Sequence, residues 1–407
     1  MQLFRVISAK VQKERNMDIR KIQEEQVRLL KATPMKFMRY KHDAIEWETK
    51  MLCLVGPRGV GKTTMMLQHI KQAEHPDKYL YYNVDNITSA DISLVELADV
   101  WAKEGGRYLV IDEVHKYPNW STELKQIYDS QPSLQVIFTG SSVLDIYSGM
   151  SDLSRRATLY EIQGLSFREY LELFHSIKAP RISLEKLLTH QYEIEGLEHP
   201  LPLFKDYLHR GYYPFGLDKD FTVKLTQVIL QTMEVDIPIY ANLNPSTGRK
   251  LRKLLSIIAD SVPFKPTLQK LAEAIGVSRN QIADYLVYME RAGMIAQLRD
   301  DTGGVRSLGK VEKIYLDNPN LCYALSSNIP NEGNLRETFF LNQSRVNFDV
   351  IASKVSDFCI DKYTFEVGGK NKKGRQVKDL DNAYIVKDDI EFGYADVIPL
   401  WAVGLTY

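Results

Sequence analysis

Short apolar runs alternate with helix-period patterns from about residue 50 to 165 of this 407-residue chain. The runs are "MLCLV", "YLYYNV", "RYLVID" and "LQVIFTG". Each is continuously apolar rather than alternating, as expected of strands buried on both faces of a parallel sheet. Upstream, Ile19, Ile22, Val27 and Leu30 recur at helical spacing among charged residues, predicting a helical lead-in. From Ser166 to Ala259 the pattern becomes mostly helical, broken at "EHPLP", "GYYPF" and "NLNPSTG".

A smaller unit follows. Leu268, Leu271, Ala272 and Ile275 share one helix face, Gly276 supplies a turn, Ser278 is an N-cap, and Ile282, Tyr285, Leu286 and Met289 repeat the spacing. Two short amphipathic helices joined by a glycine read as helix-turn-helix. The two strand-like runs around "DDTGG" that follow make the unit a winged helix. Beyond it, a helix from Asn334 to Asn342 and the runs "DFCI", "YTFEV" and "NAYIV" predict an α/β domain. The expected division is a lead-in over 1–45, a nucleotide-binding core over 46–165, a helical lid over 166–259, a winged helix over 260–310 and a last domain over 311–407.

Composition changes this picture little. Lys plus Arg equals Asp plus Glu at 52 each, so no global field steers the chain to nucleic acid or membrane, and any electrostatic footprint is local. Cys53, Cys322 and Cys359 lie far apart without metal-ligand spacing, which points to a reducing compartment. The apolar start is too short for a signal peptide and is interrupted by Arg5, and no run is long enough to span a bilayer. A cytoplasmic protein without a membrane partner is expected.

The stretch Gly56-Pro57-Arg58-Gly59-Val60-Gly61-Lys62-Thr63-Thr64 fits GxxxxGK[ST] without a mismatch, with strand before and helix after. Its glycines let the backbone curl until several N–H groups face phosphate oxygens, helped by the following helix N-terminus. Lys62 would reach the β- and γ-phosphates of ATP, and the Thr63 hydroxyl would ligate Mg²⁺. "RYLVIDE" delivers Asp112 and Glu113 to a strand's C-terminal end. Asp112 would hold Mg²⁺ through water, and Glu113 would polarise the attacking water. The strand "QVIFTGSS" ends in hydroxyls, with Ser141 first and Thr139 second as sensor of the γ-phosphate, while Ser142 suits a helix cap. Arg155 and Arg156 offer a cation for the transferring phosphoryl group, either within the chain or across a homo-oligomer.

The succession "GPRGVGKTT", "YYNVD", "LVIDEVHKYPNW", "IFTGSS", "RRATLYEIQGLSFREY" and "LHRGYYPF" resembles a group of prokaryotic AAA-superfamily ATPases. The resemblance implies an α/β fold: a P-loop AAA-type parallel sheet core, helical lid, winged helix and C-terminal nuclease-like domain. It implies the ATP and Mg²⁺ roles above for Lys62, Thr63, Asp112 and Glu113, Ser141 as sensor and an Arg155/Arg156 finger.

The last domain would then resemble the PD-(D/E)xK nuclease fold, implying a second metal set of Glu337, Asp357 and Glu366. The position two after Glu366 is Gly368 where that pattern has lysine. Lys370 lies on the same strand face, displaced by about 6.6 Å. A bulge at Gly368-Gly369 would bring it back; equally, the domain keeps the fold without the chemistry.

Double-stranded DNA is the partner suggested by the winged helix. Arg279, Asn280 and Gln281 open its second helix, Arg249, Lys250, Arg252 and Lys253 lie nearby, and Lys370, Lys372, Lys373, Arg375 and Lys378 fill a basic loop. Against it, residues 260–310 carry seven basic and six acidic residues, nearly balanced. Three readings stand: an ATPase acting on or anchored to DNA, an ATP-dependent switch or scaffold for protein assembly or signalling, and an ATP-gated metal-dependent nuclease.

Overall fold

The computed structural model describes residues 19–85, 92–140, 153, 155–261, 267–301, 310–326, 330–378 and 380–407. The chain divides into two compact units, Met1–Ile162 and Gln163–Tyr407.

The first unit is built on five parallel strands, β1 (Met51–Val55), β2 (Tyr79–Asn83), β3 (Tyr108–Asp112), β4 (Gln135–Gly140) and β5 (Thr158–Glu161), in the order β2-β3-β4-β1-β5. The apolar runs are continuous because both faces are covered. Alternate residues of β1 to β4, such as Cys53, Leu80, Ile111 and Phe138, share a core with the helices Leu94–Lys103 and Trp120–Ser130. Tyr81, Asp112 and Thr139 fall on the opposite parity, so the sheet's own period brings them to one face. The helical lead-in is present at residues 19–32. Its buried Gln26 donates to the Tyr79 carbonyl at 3.1 Å and accepts from the Tyr81 N–H at 2.7 Å. One side-chain amide thus satisfies the ladder groups that β2, an edge strand, would otherwise leave open.

The second unit shares one large core. Phe167, Tyr170 and Phe204 of the helical stretch pack with Leu298 and Tyr315, and with Phe339, Phe365, Val386 and Leu405 near the C-terminus. The apolar residues of the expected lid and of the expected last domain are therefore not segregated. Helix Leu268–Ile275 ends at Gly276, whose φ of 74° only glycine adopts freely. Helix Arg279–Arg291 then starts with a capping box between Ser278 and Gln281. An antiparallel ribbon follows, β6 (Ile295–Arg299) with β7 (Val311–Leu316), bulged at Leu298/Arg299. The pairing carries β7 with β6, so this segment runs past the expected boundary at 310.

The C-terminal sheet adds β8 (Val350–Ala352), β9 (Phe358–Ile360), β10 (Tyr363–Gly368), β11 (Ala383–Lys387) and β12 (Val397–Pro399), ordered β12-β11-β10-β9-β8. β8, β9 and β10 pair antiparallel, whereas β10, β11 and β12 pair parallel. The helix Glu332–Ser344, capped by Asn331, supplies Phe339 and Phe340 to the core. β8 and β12, three residues each, went unread, whereas the equally short β9 lies in the run "DFCI".

Candidate active site

The phosphate loop leaves β1 at its C-terminal end and enters helix Lys62–Gln72. Gly56, Gly59 and Gly61 have φ of 152°, 85° and 96°. A Cβ on Gly56 would lie 2.0 Å from the Ile162 carbonyl oxygen, so the loop's first turn admits no side chain. Val60 is buried, and its carbonyl accepts from the buried Arg39 guanidinium at 2.7 Å. Pro57 is buried, Arg58 and Gly61 partly so, and Gly59 and Thr64 are exposed. Lys62 is buried, and its ammonium donates to the Gly56 and Pro57 carbonyls at 2.8 and 3.0 Å. The loop thus holds a cation within its own arch.

Asp112, 2% exposed, anchors the floor of the site. Its Oδ2 accepts from Thr63 Oγ1 and from the Tyr81 hydroxyl, both at 2.7 Å. Its Oδ1 accepts from Thr139 Oγ1 and from the Glu113 N–H, the latter at 3.1 Å. Burial, then the charge of Asp112, push the Tyr81 phenol far up, so it remains a hydrogen-bond donor. Glu113 sits at φ 56°, ψ 39°, a left-handed conformation uncommon outside glycine. It is fixed there by Asp112 and by Thr139 Oγ1, 3.2 Å from its N–H, while His115 Nε2 lies 3.5 Å from its carboxylate. Strained backbone of this kind persists where surroundings over-determine it and clusters at functional sites.

The residues fit Mg²⁺. A hydroxyl and a carboxylate form an oxygen-only donor pair, as this cation prefers. Among the described residues no group of three or more His, Cys, Asp or Glu forms a metal cluster.

Sequence reasoning missed Tyr81, Arg39 and His115. Tyr81 had a signal: it lies two residues before Asn83, the β2 partner of Asp112, and hence on the same face. Ser141 and Ser142 lie outside the described residues. The nearby hydroxyl whose place is described is that of Thr139.

For Arg155 and Arg156, expected to act either within the chain or across subunits, the sheet bears only on the first alternative. β5 is parallel to β1, with Leu52 opposite Thr158 and Val55 opposite Glu161. The two arginines precede β5 and so lie at the sheet's N-terminal edge, roughly 15 Å along the strands from the edge that carries the phosphate loop. Arg156 makes a two-pronged ion pair with Asp129 at 3.1 and 3.0 Å.

In the second unit Glu337 and Asp357 share one lysine, and Glu366 pairs with another. Lys313 of β7 sits 3.2 Å from both Glu337 Oε2 and Asp357 Oδ1, and the Tyr315 hydroxyl donates to Glu337 at 2.7 Å. Asp357 Oδ2 accepts from the Val367 N–H at 3.0 Å. Lys372, not the expected Lys370, meets Glu366 Oε1 at 3.1 Å. Its stem crosses Gly368, where a Cβ would lie 2.6 Å from Lys372 Cδ. The missing side chain at 368 is thus the space through which a later lysine passes. Burial and the Asp357 charge hold Glu337 above the ordinary carboxylate range. Burial alone would lower Lys313, but the two carboxylates outweigh it and keep it above its ordinary value. Two ammonium groups meet these three carboxylates, and the buried Glu366 Oε2 has no hydrogen-bond partner.

Some of the expected DNA-contacting groups are engaged internally. Lys253 donates to the Ala274 carbonyl, Arg252 pairs with Glu234, and Gln281 closes the Ser278 cap.

Residues 48–171 match the family model of an AAA domain, and residues 201–332 match a domain of unknown function (DUF8612). An uncharacterized protein of Methanocaldococcus jannaschii is 25% identical over 288 residues, 65% of this chain and 60% of the relative, so the chain spans about 60% of that relative's length. The Walker-type ATPase of Pyrococcus abyssi superposes with a TM-score of 0.45 at 12% identity, over 71% of this chain and 95% of that one. AMPPCP-bound DnaA from Aquifex aeolicus gives 0.27 at 10% identity, over 61% and 84%. No helix among the described residues is long and apolar enough to cross a membrane. The phosphate loop and the acidic strand end both lie inside the segment, residues 48–171, that matches the AAA-domain model.

Proposed function

We propose that the first unit hydrolyses ATP with Mg²⁺. The observation that carries this reading is the 2.7 Å hydrogen bond from Thr63 to Asp112 beside a three-glycine phosphate loop. The two groups expected to hold the cation are already aligned. Loop N–H groups and Lys62 would bind the β- and γ-phosphates, and Lys62 would exchange the Gly56 and Pro57 carbonyls for phosphate oxygens. Bound Mg²⁺ supplies charge neutralisation on those oxygens. Glu113, set by the Asp112–Thr139 pair, would accept a proton from the attacking water or orient it. Tyr81 and Thr139 would hold the Asp112 carboxylate in one rotamer.

Glu113→Gln tests the assignment. It should bind ATP as the wild type does and turn it over about a hundredfold more slowly. Normal turnover in that variant would remove Glu113 from the water-positioning role. A finger role for Arg155 or Arg156 would be exercised on a neighbouring subunit, which makes a homo-oligomer part of the proposal.

A second reading couples turnover to double-stranded DNA. It is favoured by Arg279 and Asn280, which are exposed at the start of helix Arg279–Arg291. DNA-stimulated turnover that falls with salt and is lost in Arg279→Glu supports it; turnover indifferent to DNA moves the function to a protein-directed switch.

A further inference from the structure

The segment ahead of β1 is fastened to the phosphate-loop helix, Lys62–Gln72. The buried Gln68 amide donates to the Pro34 and Phe37 carbonyls at 2.8 and 2.7 Å. Lys71 Nζ donates to the Thr33 carbonyl at 2.8 Å. The helix that follows the loop therefore sets the path of residues 33–37. Two residues further on, that path delivers Arg39, which is 5% exposed, and its Nη1 donates to the Val60 carbonyl at 2.7 Å.

A trans peptide unit is planar, so its C=O and N–H point in opposite directions. Pinning the Val60 carbonyl therefore also fixes the next N–H, that of Gly61, which points away from Arg39. No acceptor among the described residues meets that N–H. The Gly61 carbonyl accepts from the Met65 N–H at 3.0 Å, which fixes the peptide after Gly61 and leaves the one before it to Arg39. Gly61 itself has φ of 96° and no side chain to resist rotation, so this peptide plane could turn over at little steric cost. Turned over, it would offer a phosphate an oxygen in place of a donor.

We propose that Arg39 is a positioning residue for the phosphate site. By holding the Val60 carbonyl on its own side, it keeps the Gly61 N–H aimed at phosphate oxygens. It acts through the loop's backbone and so adds to Lys62 without replacing it. The ligand class, a magnesium-bound di- or triphosphate, rests on the ATP reading proposed for this loop.

Equilibrium dialysis of the full chain against pyrophosphate and against ADP, each with Mg²⁺, tests this. Arg39→Met keeps an apolar stem and removes the donors, and should weaken both ligands about tenfold. Arg39→Lys returns a donor and should recover most of the loss. In steady-state turnover, Arg39→Met should raise KM for ATP about tenfold and leave kcat within about twofold, because the lost contact serves ground and transition states alike. A merely unstable variant would instead lose kcat at unchanged KM. The Gly61 amide ¹⁵N resonance, from the same peptide unit as the Val60 carbonyl, should shift in ligand-free Arg39→Met and return toward the wild-type position in Arg39→Lys. Arg39→Gln, whose shorter side chain ends before the Val60 carbonyl, carries the same test where Arg39→Met does not fold. Unweakened binding of both ligands in these donor-removing variants overturns the proposal and leaves the ATP reading standing. Weakened binding in a protein whose wild type turns over no ATP upholds the proposal and ends the hydrolysis reading. A wild type that binds neither ligand overturns both.

Discussion

Each unit sets carboxylates away from solvent, and the two differ in what surrounds the charge. Asp112 is met by the hydroxyls of Thr63, Tyr81 and Thr139 and by one backbone N–H. Glu337, Asp357 and Glu366 are met by the ammonium groups of Lys313 and Lys372. Neutral donors orient a carboxylate without cancelling its charge, so Asp112 keeps its attraction for a cation. Lysines offset part of the charge and stand where a cation would approach. Buried acidic residues alone therefore do not mark a metal centre; the sign of their immediate neighbours decides.

The largest effect should separate the clusters by activity. Asp112→Asn removes the cation-holding charge while keeping most of the hydrogen bonds, and should lower ATP turnover by about 100- to 1,000-fold. Lys62→Ala should also abolish ATP binding, read by equilibrium dialysis. Glu366→Gln, in the other cluster, should leave turnover within about twofold. Equal losses in Asp112→Asn and Glu366→Gln would break the contrast.

The second test acts on stability. Lys313→Met leaves Glu337 and Asp357 buried together without their shared ammonium, a loss of about 4 kcal/mol. The midpoint of thermal unfolding should drop, by about 2–4 °C for each kcal/mol in a unit of this size. Added Mn²⁺ should leave the wild-type midpoint unchanged and partly restore that of Lys313→Met, because the freed carboxylates gain a divalent counter-ion. A wild-type midpoint that climbs with Mn²⁺ would show that Lys313 yields to metal and that the cluster is not locked.

The clusters were not equally legible in the sequence. The phosphate loop and "RYLVIDE" are local signals: glycine spacing, a strand and its acidic end lie within a few residues of each other. The acids Glu337, Asp357 and Glu366 could be named from a resemblance, yet what neutralises them could not. Lys313 comes from β7, in the ribbon that follows the helix pair, and no spacing rule links it to Glu337. Lys372 was visible in a basic run, but only the bare Gly368 lets its stem turn inward. Likewise the helical pattern after Ser166 was readable, whereas its sharing of one core with the C-terminal sheet was not, since burial partners far apart in sequence leave no periodic trace. Sequence order puts Arg155 and Arg156 soon after the sensor strand, whereas the parallel return to β5 sets them at the sheet's other edge.

The smallest effect extends the contrast to protons. His69, on the phosphate-loop helix, stacks on Trp47 with centroids 3.9 Å apart at 11° and lies 5.6 Å from the His42 ring. Burial first, and then the nearby His42, lower its pKa from 6.5 to about 4. Because the folded value is depressed, the unfolded chain takes up the proton first. The stability this group contributes is therefore full above about pH 6.5 and is lost as the pH falls toward 4, a difference of about 2 kcal/mol after allowing for its partial solvent access. Lys313 has the opposite sign: its folded pKa is raised, so its contribution is full below about 10.4 and is lost as the pH rises through the folded value. His69→Phe keeps a ring on Trp47 and removes the proton site. Urea midpoints at pH 7 and pH 5 should converge in this variant, while the wild type weakens at pH 5. If both weaken equally, the acid sensitivity belongs to other groups, and neutral burial is no longer what distinguishes the first unit from the second.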